Sequence, residues 1–156
     1  MSGDNLIFDF ERDFAGSLRC IPMVVRLKLD LAGVKLSLRQ WSRFTLADRE
    51  ALVGAPRETP AQAQAYHDLL ARLITERADE PLVDLPPPAA PEWDQLAAPP
   101  ARVTAQAAAL GLSAVDWTPW PSLSRLQRFS LCKLSRPDHD NDNFVPALVE
   151  FGLVGG

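Results

Sequence analysis

Pro22-Met23-Val24-Val25-Arg26-Leu27-Lys28-Leu29-Asp30-Leu31-Ala32-Gly33 is the stretch on which the fold turns. Residues 25–31 alternate strictly between apolar and charged, and Ala32-Gly33 leads into a second alternating run at 34–38. Read alone, the pair is a β-hairpin. Further along, Pro100-Ala101-Arg102-Val103-Thr104-Ala105-Gln106-Ala107-Ala108-Ala109-Leu110-Gly111 carries the same bracketing proline and glycine. Alanine has the highest helix propensity, proline suits a first turn and glycine suits a helix end, so this second run is a helix. Aligning Gly33 with Gly111 also sets Pro22 on Pro100, Val25 on Val103 and Val34 on Leu112. One inserted residue later, Trp41 meets Trp120, Phe44 meets Leu123, Arg49 meets Arg128 and Leu52 meets Leu131. The matched order favours an internal duplication over chance. The duplication carries the helical reading back to residues 22–33, with the hairpin as the alternative.

Other helices have clear edges. Thr59-Pro60-Ala61-Gln62 opens one that runs to about Arg77, with Tyr66, Leu69, Leu70, Leu73 and Ile74 at helical spacing. Ser37 with Gln40, and Thr45 with Asp48, start two short helices that end near Gly54. Residues 121–134 give another, with Leu123, Leu126, Phe129 and Leu131 facing inward, and Asp142 or Asn143 caps a last one through Phe151. The expected fold is all-α: two packed helical halves joined by an extended proline-rich linker. Seven of the fourteen prolines fall at 79–100, which sets the halves at 1–78 and 101–156 within a single domain, 1–156. Trp93 inside the linker implies that it lies on the body, since an exposed tryptophan is unusual. The expected core includes Leu29, Trp41, Leu52, Leu70, Leu126 and Phe129.

The 156 residues are 47% hydrophobic and 23% charged, which excludes disorder throughout and allows a core without disulfides or a structural metal. A formal charge of −4 argues against a general nucleic-acid or anionic-membrane binder. Cys20 and Cys132 lie 112 positions apart with no zinc spacing, which suits a reduced compartment. The acidic N-terminus, with Asp4, Asp9, Glu11 and Asp13, is the opposite of a leader peptide, and no apolar run reaches membrane-spanning length. A cytoplasmic protein is expected.

Few residues point to chemistry. There is no glycine-rich phosphate loop, no H-E-x-x-H and no G-x-S-x-G, and His67 and His139 leave a Ser or Cys nucleophile without an evident base. Cys20 beside Arg19 could be an activated thiol, though a structural cysteine is the commoner case. Asp138-His139-Asp140-Asn141-Asp142-Asn143 opens like a calcium loop but lacks the glycine at position six and the glutamate at position twelve, so a polar turn before a helix is expected and no metal. Asp9, Glu11 and Asp13 read as an arm whose Phe8, Phe10 and Phe14 dock while its carboxylates meet solvent. The densest charge feature is basic. Arg19, Arg26, Lys28, Lys35, Arg39, Arg43 and Arg49 face only Asp30 and Asp48 in that segment, a local excess of +5 (seven minus two). A phosphate-rich ligand, an acidic partner or the acidic arm could each neutralise it. Lys28 falls inside the apolar arc of its helix, where it either snorkels or supplies a cationic contact between the halves.

The chain resembles the nitrate reductase associated protein family. The likeness rests on Phe8-Asp9-Phe10-Glu11-x-Asp13-Phe14, Ser17-Leu18-Arg19-Cys20-Ile21-Pro22-Met23, Val25-Arg26-x-Lys28-Leu29-Asp30, Gly33-Val34-Lys35-Leu36 and Trp41. It continues at Leu126-Gln127-Arg128-Phe129, Lys133-Leu134, His139, Asn143-Phe144 and Glu150-Phe151. The resemblance implies an accessory, non-catalytic role in nitrate assimilation: assembly, cofactor loading or maintenance of molybdenum-dependent nitrate reductase, which would be the partner. It transfers no catalytic residue and implies no cofactor of the chain's own. Arg19, Arg26, Lys28, Lys35, Arg39 and His139 are the candidate binding residues. A metabolite-binding regulatory adaptor, and a small enzyme acting on a molybdenum-cofactor precursor, are the alternatives. Oligomeric state is left open.

Overall fold

The computed structural model describes residues 7–12, 17–86, 91–112, 114–136 and 142–154. The deciding stretch is helical. Helix α1 spans Met23–Ala32 with Pro22 at its N-cap, and Gly33 closes it at φ 69°, a left-handed conformation that strains any residue with a Cβ. Val24, Val25 and Leu29 are buried, and the charged residues between them reach main-chain carbonyls, which is how an alternating sequence settles as a helix. Strand β1 (Val34–Lys35) follows at once, but its partner is β2 (Val83–Asp84), antiparallel, with Val34 opposite Asp84 and Lys35 opposite Val83. The described chain is therefore mainly α with one short ladder, rather than wholly α.

The chain forms two compact units, Met1–Pro88 and Ala89–Gly156. In the first, α2 (Leu38–Arg43), α3 (Leu46–Gly54) and α4 (Pro60–Ala78) complete the set. Each begins with a reciprocal cap: Ser37 with Gln40, Thr45 with Asp48, Thr59 with Gln62. A cap of this kind is worth about 1 kcal/mol to its helix. The core of this unit gathers Val25, Leu29, Trp41, Leu52, Tyr66, Leu70, Leu73 and Ile74.

The acidic arm departs from expectation. Residues Asp9–Glu11 form a 3-10 turn, and Glu11 is buried rather than solvated. Its carboxylate accepts from the backbone N–H of Met23 at 3.0 Å and of Phe8 at 3.2 Å, so it meets the free amides and positive dipole end of α1. Asp13 and Phe14 lie outside the described residues.

The second unit holds α5 (Ala101–Ala109), α6 (Arg125–Leu134) and α7 (Phe144–Glu150). Helix α6 starts at Arg125, because residues Trp120–Ser122 form a separate 3-10 turn and Ser124 caps with Gln127. Leu126 is only half-buried, whereas Val103, Trp120, Phe129, Leu131, Leu134, Phe144 and Leu148 make the core.

The 79–100 stretch belongs partly to each unit. Its first part carries β2. Its later part makes a 3-10 turn at Glu92–Asp94 that buries Trp93 edge-on against Phe129, with ring centroids 4.9 Å apart.

Each unit builds a similar local frame. The N–H of Phe44 donates to the Trp41 carbonyl at 3.1 Å, and that of Leu123 to the Trp120 carbonyl at 3.2 Å. A reciprocal cap follows at once in both, Thr45 with Asp48 and Ser124 with Gln127. Both tryptophans are buried and use the indole N–H on a distant carbonyl, Trp41 on Leu18 at 2.8 Å and Trp120 on Gln95 at 2.7 Å.

Candidate functional site

The basic segment divides by the work its cations do. Arg26 donates from Nε to the Ile21 carbonyl at 3.1 Å. Burial pushes its guanidinium below the usual range, against the opposing influence of Cys20, Glu11 and Asp30. Lys28 donates from Nζ to the carbonyls of Val53 at 2.8 Å and Ala55 at 2.6 Å, closing the C-terminal end of α3. It also lies 5.5 Å from the centre of the Tyr66 ring. Burial pushes the Lys28 ammonium down, with Glu58 nearby resisting. Arg49 spans three carbonyls, those of Trp41, Leu18 and Ser42, each at 3.2 Å. These three cations hold the first unit together.

The others face outward. Arg19, Lys35, Arg39 and Arg43 are exposed. Arg39 pairs with Glu80 at 2.6 Å, and its side chain is 62% exposed. Among the described residues no carboxylate pairs with Arg19, Lys35 or Arg43. The structure thus places Arg26 and Lys28 on internal carbonyls and leaves Arg19, Lys35 and Arg39 at the surface of the same unit. His139, and the rest of 137–141, lie outside the described residues.

Two exposed apolar residues of the same unit were not singled out from the sequence: Leu38 is 55% exposed and Leu46 57%. Each follows directly on the cap of a short helix, Ser37 and Thr45. Arg57 was also missed. It donates from a terminal nitrogen to the Leu31 carbonyl at 3.1 Å near the end of α1.

Several other titratable groups have structural partners. Burial pushes the Cys132 thiol up to about 12, with Glu92 adding to the rise. Cys20 is half-buried. His67 lies 3.0 Å from the Asp84 carboxylate and links α4 to β2. In the second unit Glu92 pairs with Arg102, whose guanidinium also donates to the Cys132 carbonyl at 2.9 Å and to Ser135 at 3.2 Å. Among the described residues no group of three or more His, Cys, Asp and Glu could hold a metal ion, and no helix is long and apolar enough to cross a membrane.

This is a mainly helical protein with a framework of arginine–carbonyl and lysine–carbonyl bonds and several exposed cations on its first unit. The chain belongs to the conserved nitrate reductase-associated protein family, whose model matches residues 7–151. No curated protein and no solved structure matches it.

Proposed function

We propose that this chain is a non-catalytic accessory protein of nitrate assimilation. It binds molybdenum-dependent nitrate reductase in the cytoplasm and assists its assembly, cofactor loading or maintenance. The observation that carries this reading is the family match over residues 7–151. The exposed cations Arg19, Lys35, Arg39 and Arg43 support it, since an accessory factor needs a complementary surface rather than a nucleophile and base. The test is co-purification of tagged chain with nitrate reductase made with and without molybdenum-cofactor supply. Retention of the cofactor-free reductase is expected, with weaker retention of the loaded enzyme. Equal absence of both would overturn the reading.

We also infer that the two units descend from an internal duplication. Matching tryptophan, cap and arginine positions, Trp41-Thr45-Asp48-Arg49 and Trp120-Ser124-Gln127-Arg128, support it.

A further inference from the structure

We propose that residues 35–46 are the docking surface itself, and that the occupant is an acidic protein surface with an apolar centre, carried by the reductase; this rests on the accessory reading above. Between Leu31 and Ala47 the chain has three cations, Lys35, Arg39 and Arg43, and no acid. All three are exposed, Lys35 and Arg43 without an ion pair among the described residues. Arg39 and Arg43 stand four residues apart on α2, so they share one face of it. Leu38 lies between Lys35 and Arg39 in the sequence and Leu46 three residues after Arg43, 55% and 57% exposed, more than any other large hydrophobic residue described. Exposed leucines in a segment whose charges are all cationic have the composition of a recognition surface, in which apolar anchors bind and charge steers.

The second unit supplies an internal comparison. It repeats the tryptophan, the cap and the carbonyl-bonded arginine of the first, yet it has Thr118 and Ser122 where the first has Arg39 and Arg43. The shared arginine, Arg49 or Arg128, is the one bonded to carbonyls. The frame therefore forms without cations at those two positions, and Arg43, unlike Arg39 with Glu80, has no ion pair among the described residues. An excess of cations selects carboxylates on the partner, and the leucines select an apolar spot between them.

The full chain should be mixed with cofactor-free nitrate reductase and a water-soluble carbodiimide. This reagent activates a partner carboxylate and leaves as its urea when a lysine amine forms the amide. Only Lys28, Lys35 and Lys133 carry such amines. A cross-link at Lys35 is expected, absent in Lys35→Arg, which keeps the charge. Lys35→Glu with Arg43→Glu, and separately Leu38→Ser with Leu46→Ser, should each weaken binding on the order of tenfold or more, with the melting temperature held. Ala105→Glu, on the exposed side of α5, should leave binding unchanged. Reductase bound equally by all variants, or cross-linked only through Lys133, would overturn this surface and leave the accessory reading standing. Reductase bound by none, the unmutated chain included, would overturn both. Phosphatidylserine vesicles capturing the chain through the same residues would reassign the surface to anionic lipid and overturn the protein partner.

Discussion

The indole N–H of Trp41 donates to the carbonyl of Leu18, 23 positions earlier, at 2.8 Å. Leu18 sits at φ 61°, a conformation costly for a residue with a branched side chain, and it is buried nonetheless. Its carbonyl also accepts from Arg49, so two donors hold it in place. Leu18 lies in the string Ser17-Leu18-Arg19-Cys20-Ile21-Pro22-Met23, and the bond fastens that string to α2. Trp41→Phe, which keeps a ring but removes the donor, should cost about 1–2 kcal/mol, because Arg49 still reaches the carbonyl. Trp41→Ala should cost about 3–5 kcal/mol through the cavity it opens. Urea midpoints at constant slope check both, and a Trp41→Phe protein as stable as the unmutated one would remove the hydrogen bond from the account.

Lys28 is the second test. Replacing it with Met keeps the apolar stem but leaves the Val53 and Ala55 carbonyls without their donor, an expected loss of about 1–3 kcal/mol near neutral pH. Its pH dependence has a definite sign. Burial lowers the folded-state pKa below that of the unfolded chain, so between the two values the unfolded chain holds the extra proton. Stability should therefore rise with pH across the alkaline range, relative to Lys28→Met. Unfolding free energies of both proteins from pH 8 to 11 would show a flat difference if Lys28 were solvated.

Helix edges were legible in this sequence because caps are local chemistry. Ser37 with Gln40, Thr45 with Asp48 and Thr59 with Gln62 form the reciprocal bonds their spacing announces. The helical reading of residues 23–32 came from comparison with the alanine-rich run, since alternation alone pointed to a hairpin. The β1–β2 ladder was not legible. Two residues per strand carry no periodicity, and the partners are 48 or 50 positions apart. The site was legible only in part. Sequence marked the cations, but whether an arginine head meets a carbonyl or water depends on which helix end lies within reach. Arg26 and Lys28 go inward for that reason, while Lys35 stays outside.

On the acid side the informative group is Asp48. Burial alone would raise its pKa, but hydrogen bonds from the Thr45 backbone, the Arg77 guanidinium and the Thr45 hydroxyl outweigh it, and the carboxyl is held below its usual range. A depressed acid contributes stability that is present above its unfolded pKa and lost as pH falls through the folded value. Asp48→Asn should thus lower stability at pH 7 and converge on the unmutated protein below pH 3. Thermal melts across pH 2.5–7 would contradict this if the gap between the two proteins stayed constant.

The last prediction concerns Arg128, which takes the place of Arg49 in the second unit. It is almost wholly buried, donating from Nε to the Trp93 carbonyl at 2.7 Å and from a terminal nitrogen to the Leu123 carbonyl. The guanidinium fork thereby ties the turn at Glu92–Asp94 to the entry of α6, and Asp94 pairs in turn with Arg125 at 3.0 Å. A lysine at 128 has one ammonium on a flexible stem and cannot serve two carbonyls in this fixed fork. Arg128→Lys should therefore cost about 1.5–3 kcal/mol, the value of a hydrogen bond from a charged donor in a buried setting. Arg49→Lys should cost less, because Arg49 is only half-buried and water can replace a lost bond. Hydrogen exchange supplies the local reading: in Arg128→Lys the Asp94 and Gln95 amides, which donate to Pro91 and Glu92 at 3.0 and 3.2 Å, should exchange faster. Equal losses at 49 and 128, with exchange at 94 and 95 unchanged, would show that the fork does not hold the turn.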